Sequence, residues 1–317
     1  MSIDDQARNR WSRLSRFLDA HLSHRGYIED AWGELVEAAP GPECGSLERW
    51  DDIGRALELR IGLDLGQRPE PWPLLTYLPP ERYSELLAAA GFEPRHADGL
   101  PSSGTSDPVL LDWRAATRPQ SPDDRVEHRA LATCLDLMEV ERQAHKRPRR
   151  AVDQRRSWFA VITEDGSLGG DPEARDALGK AWAQYVEQGR AAFQALGDHV
   201  LVAPELAGGF GIADFVVGHT LVDVKLTRKP KPPVDRWLRQ LLGYLLLDWD
   251  NALRLETLAV YAGWQGRMLT CSVDQLLEAA SSGPTPSLTS LRDKFRSVLR
   301  NDFDSFTTWK HRQPHSR

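Results

Sequence analysis

Cysteine is scarce in this chain, and its spacing excludes two common kinds of small-protein scaffold. Only Cys44, Cys134 and Cys271 occur among 317 residues. Their number is odd, they are widely separated, and no Cys-x-x-Cys pair is present, which argues against a disulfide framework and against a zinc site. We therefore interpret the three side chains as buried or incidental thiols.

Long apolar runs are also lacking. The longest, Leu241 to Leu247, is far shorter than the roughly 20 residues that a membrane-spanning helix needs. The first ten residues, MSIDDQARNR, are polar and include acids, and no apolar segment follows them, so they do not resemble a signal peptide. These absences predict a cytoplasmic protein without a membrane partner.

The remaining composition is that of an ordinary folded protein, with 41% hydrophobic and 27% charged residues. The length favours two domains, or one domain with a large appendage. We predict a mostly helical N-terminal region over 1–120, a central core over 121–275 and a helical C-terminal extension over 276–317. The N-terminal region is expected to recognise a substrate, a partner protein or a second copy of the chain.

Positive charge is concentrated although the net charge is −6. Arg142 to Arg156 contains seven Lys or Arg residues against one acid, and Lys225 to Arg239 contains six against one. Electrostatic binding to phosphates depends on such local patches more than on the total charge. Each stretch is therefore either part of a basic groove or a solvated surface, and the sequence leaves both interpretations open.

The N-terminal third is predicted to be helical because apolar residues recur there at intervals of three and four. The segment 97–120 is rich in Gly, Pro and Ser and is predicted to be a linker or long loop. His21 and His24 lie on adjacent turns, but no third metal ligand accompanies them, so we interpret both as ordinary histidines. The apolar positions that define the helices are Trp11, Leu14, Phe17, Leu18 and Leu22, then Ile28, Trp32 and Val36, then Leu47, Trp50, Ile53, Leu57 and Ile61.

The second half changes from helical to strand periodicity. Pro172 follows Asp171, a typical helix start, and predicts a helix that reaches about Leu196. His199 to Leu206 is predicted to be one strand, followed by a hairpin, so that three antiparallel strands follow one helix. Further predicted elements are helices at 121–147, 236–248, 274–280 and 288–309, and strands at 157–163, 257–261 and 268–271. Asp235 is the expected cap of the helix at 236, whose apolar residues surround it almost completely and predict burial.

The segment Gly211 to Thr227, GIADFVVGHTLVDVKLT, contains the most informative pattern. If Gly218 and His219 form a two-residue hairpin turn, residues at equal distances before and after the turn face each other. Asp214 then lies opposite Asp223, and Lys225 lies on the same face as Asp223 because side chains alternate along a strand. Two carboxylates and one ammonium are therefore predicted to converge.

Such a convergence is unfavourable for folding, since like charges that face each other destabilise a sheet. A divalent cation reverses this effect. Carboxylate oxygens are the hard ligands that Mg²⁺ prefers, and Mg²⁺ sites commonly combine one or two carboxylates with waters and substrate phosphates. The pattern therefore predicts a metal-dependent phosphodiesterase centre that uses Mg²⁺ or Mn²⁺.

The order of these elements resembles the PD-(D/E)xK nuclease superfamily, and most closely its RecB and Cas4-like branch. That branch is marked by a G-x-x-D strand, a D/E-x-K strand and a Q-x-x-x-Y helix. The corresponding residues in this sequence are Gly211 with Asp214, Asp223 with Lys225, and Gln240 with Tyr244. Asp-x-Lys alone is a weak signal, whereas the three elements in this order are fairly specific over about 171–271. Ala213 stands where many members have proline, which is a common departure.

The resemblance implies an α/β (α+β) fold with a restriction-endonuclease-like core, in which helices flank a central mixed sheet. It implies that Asp214, Asp223 and the main-chain carbonyl of Val224 hold one or two divalent cations, and that Lys225 positions the attacking water. Gln240 and Tyr244 would lie at the edge of the site.

A third acid is also implied by the resemblance. Glu187, in the middle of a predicted helix and among apolar residues, is the first choice. Glu205, on the strand before Asp214, is the second.

Two functions from different classes follow from these observations. The first is a metal-dependent nuclease that hydrolyses DNA, with RNA a less favoured substrate, in prokaryotic defence against phage or in DNA repair. The alternative is a non-catalytic subunit that binds nucleic acid or assists assembly on a nuclease-like scaffold. The presence of Asp214, Asp223, Lys225, Gln240 and Tyr244 together favours the nuclease, because a decayed site has usually lost one such residue.

Overall fold

The structure is a computed structural model that describes residues 12–38, 50–65, 92–95, 112–115, 127–138 without 129, 168–227, 231–279 and 284–312. Several predictions lie outside these ranges. They concern Cys44, the basic stretch Arg142 to Arg156 and the strand predicted at 157–163.

Helices account for most of the described N-terminal and C-terminal segments. Side chains cap the starts of several of them, and Asp171 is a cap that the sequence predicts. Ser12 caps the first helix by accepting a hydrogen bond from the Ser15 amide at 2.9 Å, and Asp171 accepts one from the Glu173 amide at 2.9 Å, with Pro172 at the first helical position. The helices are α1 (Arg13–Ala20), α2 (Gly26–Glu37), α3 (Trp50–Asp64), α4 (Pro172–Gln184), α5 (Arg190–Gln194), α6 (Val234–Leu247), α7 (Val273–Glu278) and α8 (Leu288–Arg312), with a π-helical turn at Tyr185–Gly189 between α4 and α5.

A five-stranded mixed sheet forms the centre of the described C-terminal half, in the order β3-β6-β7-β8-β9. β7 and β8 are parallel, and the other neighbouring pairs are antiparallel. With the helices around it, this sheet confirms the predicted α/β class. The strands are β1 (Phe92–Arg95), β2 (Asp112–Ala115), β3 (Val200–Val202), β4 (Glu205–Leu206), β5 (Gly211–Ile212), β6 (Phe215–Val217), β7 (Thr220–Lys225), β8 (Thr257–Ala262) and β9 (Arg267–Ser272).

Two predictions for the N-terminal half are corrected by β1 and β2, which form an antiparallel pair. The first 100 residues are not helical throughout, and 97–120 is not a loop throughout. Pro94 pairs with Trp113 in this ladder. Proline is tolerated in a strand of a two-stranded ladder because its missing N–H can face outward. Because of this proline, apolar periodicity does not predict the strand.

Contacts between residues divide the chain into two units. One unit joins Met1–Gly41 to Gln188–Arg317, and the other is Pro42–Glu187. These boundaries lie elsewhere than the predicted boundaries near 120 and 275, and the functional roles assigned to those regions stay predictions. In the second unit, the Arg60 guanidinium lies 4.2 Å from the ring centre of Trp182, and the Tyr185 hydroxyl donates to the Asp64 carboxylate at 2.9 Å.

The first unit contains one continuous apolar core that includes both N-terminal helices. Leu18 and Trp32 from α1 and α2 belong to the same buried cluster as Leu241 of α6 and Leu258 of β8. The opposite face of the sheet is covered by Phe193 of α5, whose ring lies edge-on to that of Tyr261 at 5.4 Å. Helices therefore flank the sheet on both faces within this unit.

Three of the four predicted hairpin pairs are confirmed. Phe215 pairs with Val222, Val216 with Leu221 and Val217 with Thr220. Gly218 has φ of +58°, the conformation that the first position of a type II′ hairpin turn requires. A side chain at Gly218 would also meet the carbonyl of Leu196, since an added Cβ would lie 3.4 Å from the Leu196 carbonyl carbon and closer to its oxygen.

Replacing Gly218 with Ala is therefore expected to lower the free energy of unfolding by about 1–3 kcal/mol. The cost combines an unfavourable positive φ with the contact to Leu196. Urea unfolding followed by circular dichroism measures the change. Gly54→Ala is the matched control, because an added Cβ at Gly54 meets nothing within 4 Å. A loss in Gly218→Ala no larger than in Gly54→Ala would contradict the assigned turn.

Two local predictions for the first unit are corrected. The strand predicted from His199 to Leu206 is interrupted at Ala203, which has φ of +49°, so β3 and β4 belong to different ladders. Asp235 does not cap α6, because the helix begins at Val234, after Pro233, without a side-chain cap. Asp235 pairs instead with Arg239 one turn later, at 3.0 Å.

Two other predictions are confirmed. α6 is almost entirely buried, as its apolar circumference predicts. Cys134 and Cys271 are buried thiols, and burial raises the pKa of each to about 12, which makes both unreactive near neutral pH. No helix in the described part of the chain combines the length and the apolar character that a membrane span requires.

Candidate active site

Asp223 lies on the central strand of the sheet and is almost completely buried, with 1% of its surface exposed. Both oxygens of its carboxylate are enclosed, and neither accepts a hydrogen bond from any residue that the structure describes. The Lys225 ammonium forms an ion pair with its Oδ2 atom. A buried carboxylate is costly, because it loses its hydrogen bonds with water, and one ion pair offsets only part of that loss.

Asp214 approaches the same place by a route that differs from the prediction. The β6–β7 ladder ends at the Phe215–Val222 pair, so Asp214 is not cross-strand paired with Asp223 as the hairpin arithmetic predicts. In a continued ladder the Val224 amide would bond to the Ala213 carbonyl, because antiparallel pairs alternate between bonded and non-bonded. Instead the Asp214 carboxylate accepts the hydrogen bond of the Val224 amide at 2.6 Å.

The position of Asp214 is fixed because its carboxylate, in place of a main-chain carbonyl, accepts this hydrogen bond. Ala213 is drawn away, since its own amide donates to the Pro204 carbonyl at 3.3 Å. The Val224 amide belongs to the peptide that joins Asp223 to Val224, so the Asp214 carboxylate lies beside the backbone that carries Asp223. The Asp214 carboxylate therefore lies next to the backbone of Asp223, by a bend rather than by the ladder pairing that the sequence predicts.

Lys225 follows at the end of β7. Its side chain is 23% exposed, against 2% for the Asp223 side chain, so its ammonium lies between the buried carboxylate and the surface. The main-chain carbonyl of Val224 lies between Asp223 and Lys225 along the strand. A cation at this position partly offsets the charge of Asp223 and remains accessible to solvent.

Gln240 and Tyr244 share one face of α6, as their spacing predicts. The Gln240 amide nitrogen donates to the Tyr244 hydroxyl at 3.0 Å. Tyr244 is 1% exposed and belongs to the same core cluster as Val260 and Ala262. Those two residues pair in register with Asp223 and Lys225, so they project from the same face of the sheet. α6 therefore covers the face that carries Asp223.

The third acid is not located by the structure. Glu187 is exposed and lies in the π-helical turn, not in the apolar environment that the sequence suggests. Glu205 is exposed on β4, where it pairs with Ile212. Among the residues that the structure describes, no three His, Cys, Asp or Glu side chains form a group able to hold a metal ion.

The oxygen atoms that the structure does bring together still suit a hard cation as ligands. Asp223 presents two oxygens that accept no hydrogen bond from the main chain of the described residues, one of them paired with Lys225, and the Val224 amide holds the Asp214 carboxylate beside the same strand. Mg²⁺ usually keeps several waters and takes one or two carboxylates from the protein. Two carboxylates with the Val224 carbonyl therefore fit Mg²⁺ or Mn²⁺, whereas a site enclosed entirely by protein ligands would need more groups.

The second basic stretch is only partly available to a polyanion. Arg239 is buried and pairs with Asp235 at 3.0 Å and with Asp19 at 3.3 Å, so its charge is used within the fold. Lys231 and Arg236 are exposed near the start of α6. The stretch is thus neither wholly a groove nor wholly a solvated surface.

One polar residue near this site was not identified from the sequence. Gln265 lies in the turn after β8, and its side-chain oxygen is buried without a hydrogen-bond donor in the described part of the chain. The sequence offers only a weak signal for it, a Trp-Gln pair enclosed by Gly263 and Gly266, which predicts a turn and nothing more.

No protein-family model, no curated protein and no solved structure matches this chain.

Proposed function

We propose that this chain is a metal-dependent nuclease that hydrolyses phosphodiester bonds in DNA. The observation that carries the proposal is the Asp223 carboxylate, which is buried on the central strand with an ion pair to Lys225 and without a hydrogen bond from the main chain of the described residues. A fold that retains such a group pays for it in stability unless a ligand supplies the missing interactions. A divalent cation is the ligand that two neighbouring carboxylates would favour.

Each residue of the site has a part in this proposal. Asp214 and Asp223, with the Val224 carbonyl, would hold the cation. A cation bound there supplies Lewis acidity to the scissile phosphate and lowers the pKa of the attacking water. Lys225, which is partly exposed beside Asp223, orients that water or offsets negative charge as the phosphate is attacked. The hydrogen bond from Gln240 to Tyr244 supports the site from α6.

The order of the elements gives independent support. A helical segment precedes three strands, β3, β6 and β7, that pair in antiparallel succession, and α6 then leads to β8, which is parallel to β7. This is the succession that the resemblance to the PD-(D/E)xK nucleases implies, with Asp223 on β7 and Asp214 directly before β6. The restriction-endonuclease-like core is part of the proposal.

A binding or assembly role without catalysis is the second candidate. It is favoured by one observation, the absence of a third acid from the group formed by Asp214 and Asp223 in the described residues. Such a protein would bind DNA equally well with and without a divalent cation and would leave the DNA intact.

Cleavage assays with purified protein separate the two candidates. We expect DNA to be nicked or degraded in Mg²⁺ or Mn²⁺ and left intact in EDTA, because the phosphodiester chemistry depends on the cation. Circular and linear DNA, single-stranded and double-stranded DNA, and RNA should be digested side by side. Untouched circles would limit the activity to DNA ends, and faster loss of RNA would move the substrate from DNA to RNA. DNA binding without cleavage in any of these metals would support the non-catalytic role.

A further inference from the structure

The turn between β8 and β9 is buried, which is unusual for a hairpin connection. All four of its residues, Gly263, Trp264, Gln265 and Gly266, are shielded from solvent. Connections normally lie on the surface, because their polar groups would otherwise lack partners. A buried polar turn therefore calls for an explanation beyond chain reversal.

The turn adjoins the candidate active site. Ala262, the last residue of β8, pairs with Lys225 in the parallel ladder. The Gly263 amide donates to the Lys225 carbonyl at 2.9 Å, and the Gln265 amide donates to the Ala262 carbonyl at 3.1 Å. The turn thus begins beside the end of β7. It lies next to Lys225, which is two residues beyond Asp223 along the strand.

Gln265 carries an unsatisfied acceptor within this turn. The residue is 5% exposed, and its Oε1 atom has no hydrogen-bond donor in the part of the chain that the structure describes. The Asp223 carboxylate likewise accepts no hydrogen bond from the main chain of the described residues, although its Oδ2 atom is paired with the Lys225 ammonium. Native proteins leave few buried polar atoms without partners, and each instance indicates strain or a missing ligand.

The chemistry of the missing ligand follows from the unsatisfied atoms. Both residues offer acceptors, so the ligand must provide positive charge or hydrogen-bond donors. A phosphate oxygen accepts hydrogen bonds and does not satisfy Gln265. The near-complete burial of Gln265 favours a group as small as water over a nucleobase. A hydrated divalent cation meets both needs, because its charge suits the carboxylates and its waters direct their hydrogens outward.

We propose that Gln265 is a positioning residue of the metal centre, whose amide oxygen accepts a hydrogen bond from a water of the hydrated cation held at Asp214 and Asp223. This inference rests on the proposed metal-dependent function and adds an outer contact to it. Such outer contacts orient metal-bound groups, and their loss commonly weakens metal binding.

The test measures metal binding and stability, and not cleavage. Gln265→Leu removes the acceptor with little change in volume. We expect its melting temperature in EDTA to be the same as that of the wild type or up to about 2 °C higher, because an unsatisfied buried acceptor is removed. We expect its Mn²⁺ dissociation constant from isothermal titration calorimetry to rise about tenfold. Gln194→Leu, the same change at an exposed position of α5, should alter neither quantity.

A second variant tests the sign of the effect. Gln265→Glu replaces the acceptor with a negative charge, and we expect it to bind Mn²⁺ more tightly than the wild type while melting at a lower temperature in EDTA. Weaker Mn²⁺ binding by this variant would overturn the proposal.

Two further outcomes overturn it at different levels. If Gln265→Leu binds Mn²⁺ as tightly as the wild type, or melts at a clearly lower temperature in EDTA, the amide belongs to the fold and the inference about Gln265 fails while the metal centre stands. If the wild type itself binds neither Mn²⁺ nor Mg²⁺ and cleaves no DNA, the proposed function fails, and the inference about Gln265 fails with it.

Discussion

Asp223→Asn is expected to lower metal-dependent DNA cleavage by roughly 10²–10³-fold or more, while the protein remains at least as stable in EDTA as the wild type. The loss of activity follows because an amide replaces a charged oxygen at the metal position. The preserved stability follows because burial makes the charge of the wild-type carboxylate costly, and its ion pair with Lys225 offsets only part of that cost. Lys225, which would lose its ion-pair partner, is partly exposed and can be hydrated at small cost.

The same assay on Lys225→Ala should give a comparable fall in rate, since a positioned cation at a developing charge contributes on this scale. Asp198→Asn, the same chemical change at an exposed position, is the control and should leave the rate unchanged. Initial rates of plasmid nicking and thermal melts in EDTA measure the two quantities. A large drop in melting temperature for Asp223→Asn would make Asp223 a structural residue. Full activity in either variant would show that the residue replaced in that variant takes no part in the proposed chemistry.

Arg292→Met is expected to cause the largest loss of stability, about 3–5 kcal/mol of unfolding free energy. Arg292 and Asp248 are each 6% exposed and form an ion pair at 3.3 Å. Burial lowers the pKa of the Arg292 guanidinium, and the nearby Asp248 carboxylate opposes that shift. Removing the arginine leaves the charge of Asp248 buried without its counterion.

The guanidinium also completes the end of α6. Its Nε and Nη2 atoms donate to the Leu245 carbonyl at 3.3 Å, and Nη1 donates to the Asn251 side chain at 3.0 Å. The last carbonyls of a helix have no partner within the helix, so Arg292 satisfies one of them from α8. In this way α8 is fastened to the helix that covers the candidate active site.

Chemical denaturation measured by fluorescence should show this loss, together with a fall in melting temperature of roughly 10 °C. Arg292→Lys keeps the charge without the planar fork and should lie between the wild type and Arg292→Met. Arg300→Met, at an exposed position of the same helix, should change stability by less than about 0.5 kcal/mol. A loss below about 1 kcal/mol in Arg292→Met would contradict the assigned role of the buried pair.

The features that sequence predicts well here are those fixed by local geometry. The turn at Gly218 sets the register of β6 and β7, because side chains alternate with a period of two and one glycine accommodates the positive φ. The spacing of Gln240 and Tyr244 on α6 is likewise a consequence of helical geometry, and their hydrogen bond confirms it. Both features need only a few neighbouring residues.

The features that sequence does not predict depend on distant packing. Ala203 bends the chain although alanine carries no signal for positive φ, and this bend separates β3 from β4. The exposure of Glu187 depends on the π-helical turn, which periodicity at 3.6 residues does not reveal. The burial of Gln265 depends on what covers the turn after β8, and the amino-acid type alone suggests an exposed residue.

Titration of Mn²⁺ into the wild-type protein and into Asp223→Asn, followed by isothermal titration calorimetry, tests the central claim most directly, namely that the buried carboxylate on β7 is a metal ligand. Saturable binding by the wild type, weakened at least about tenfold in Asp223→Asn, is the predicted result. Equal affinity of the two proteins, or no binding by the wild type, would contradict it.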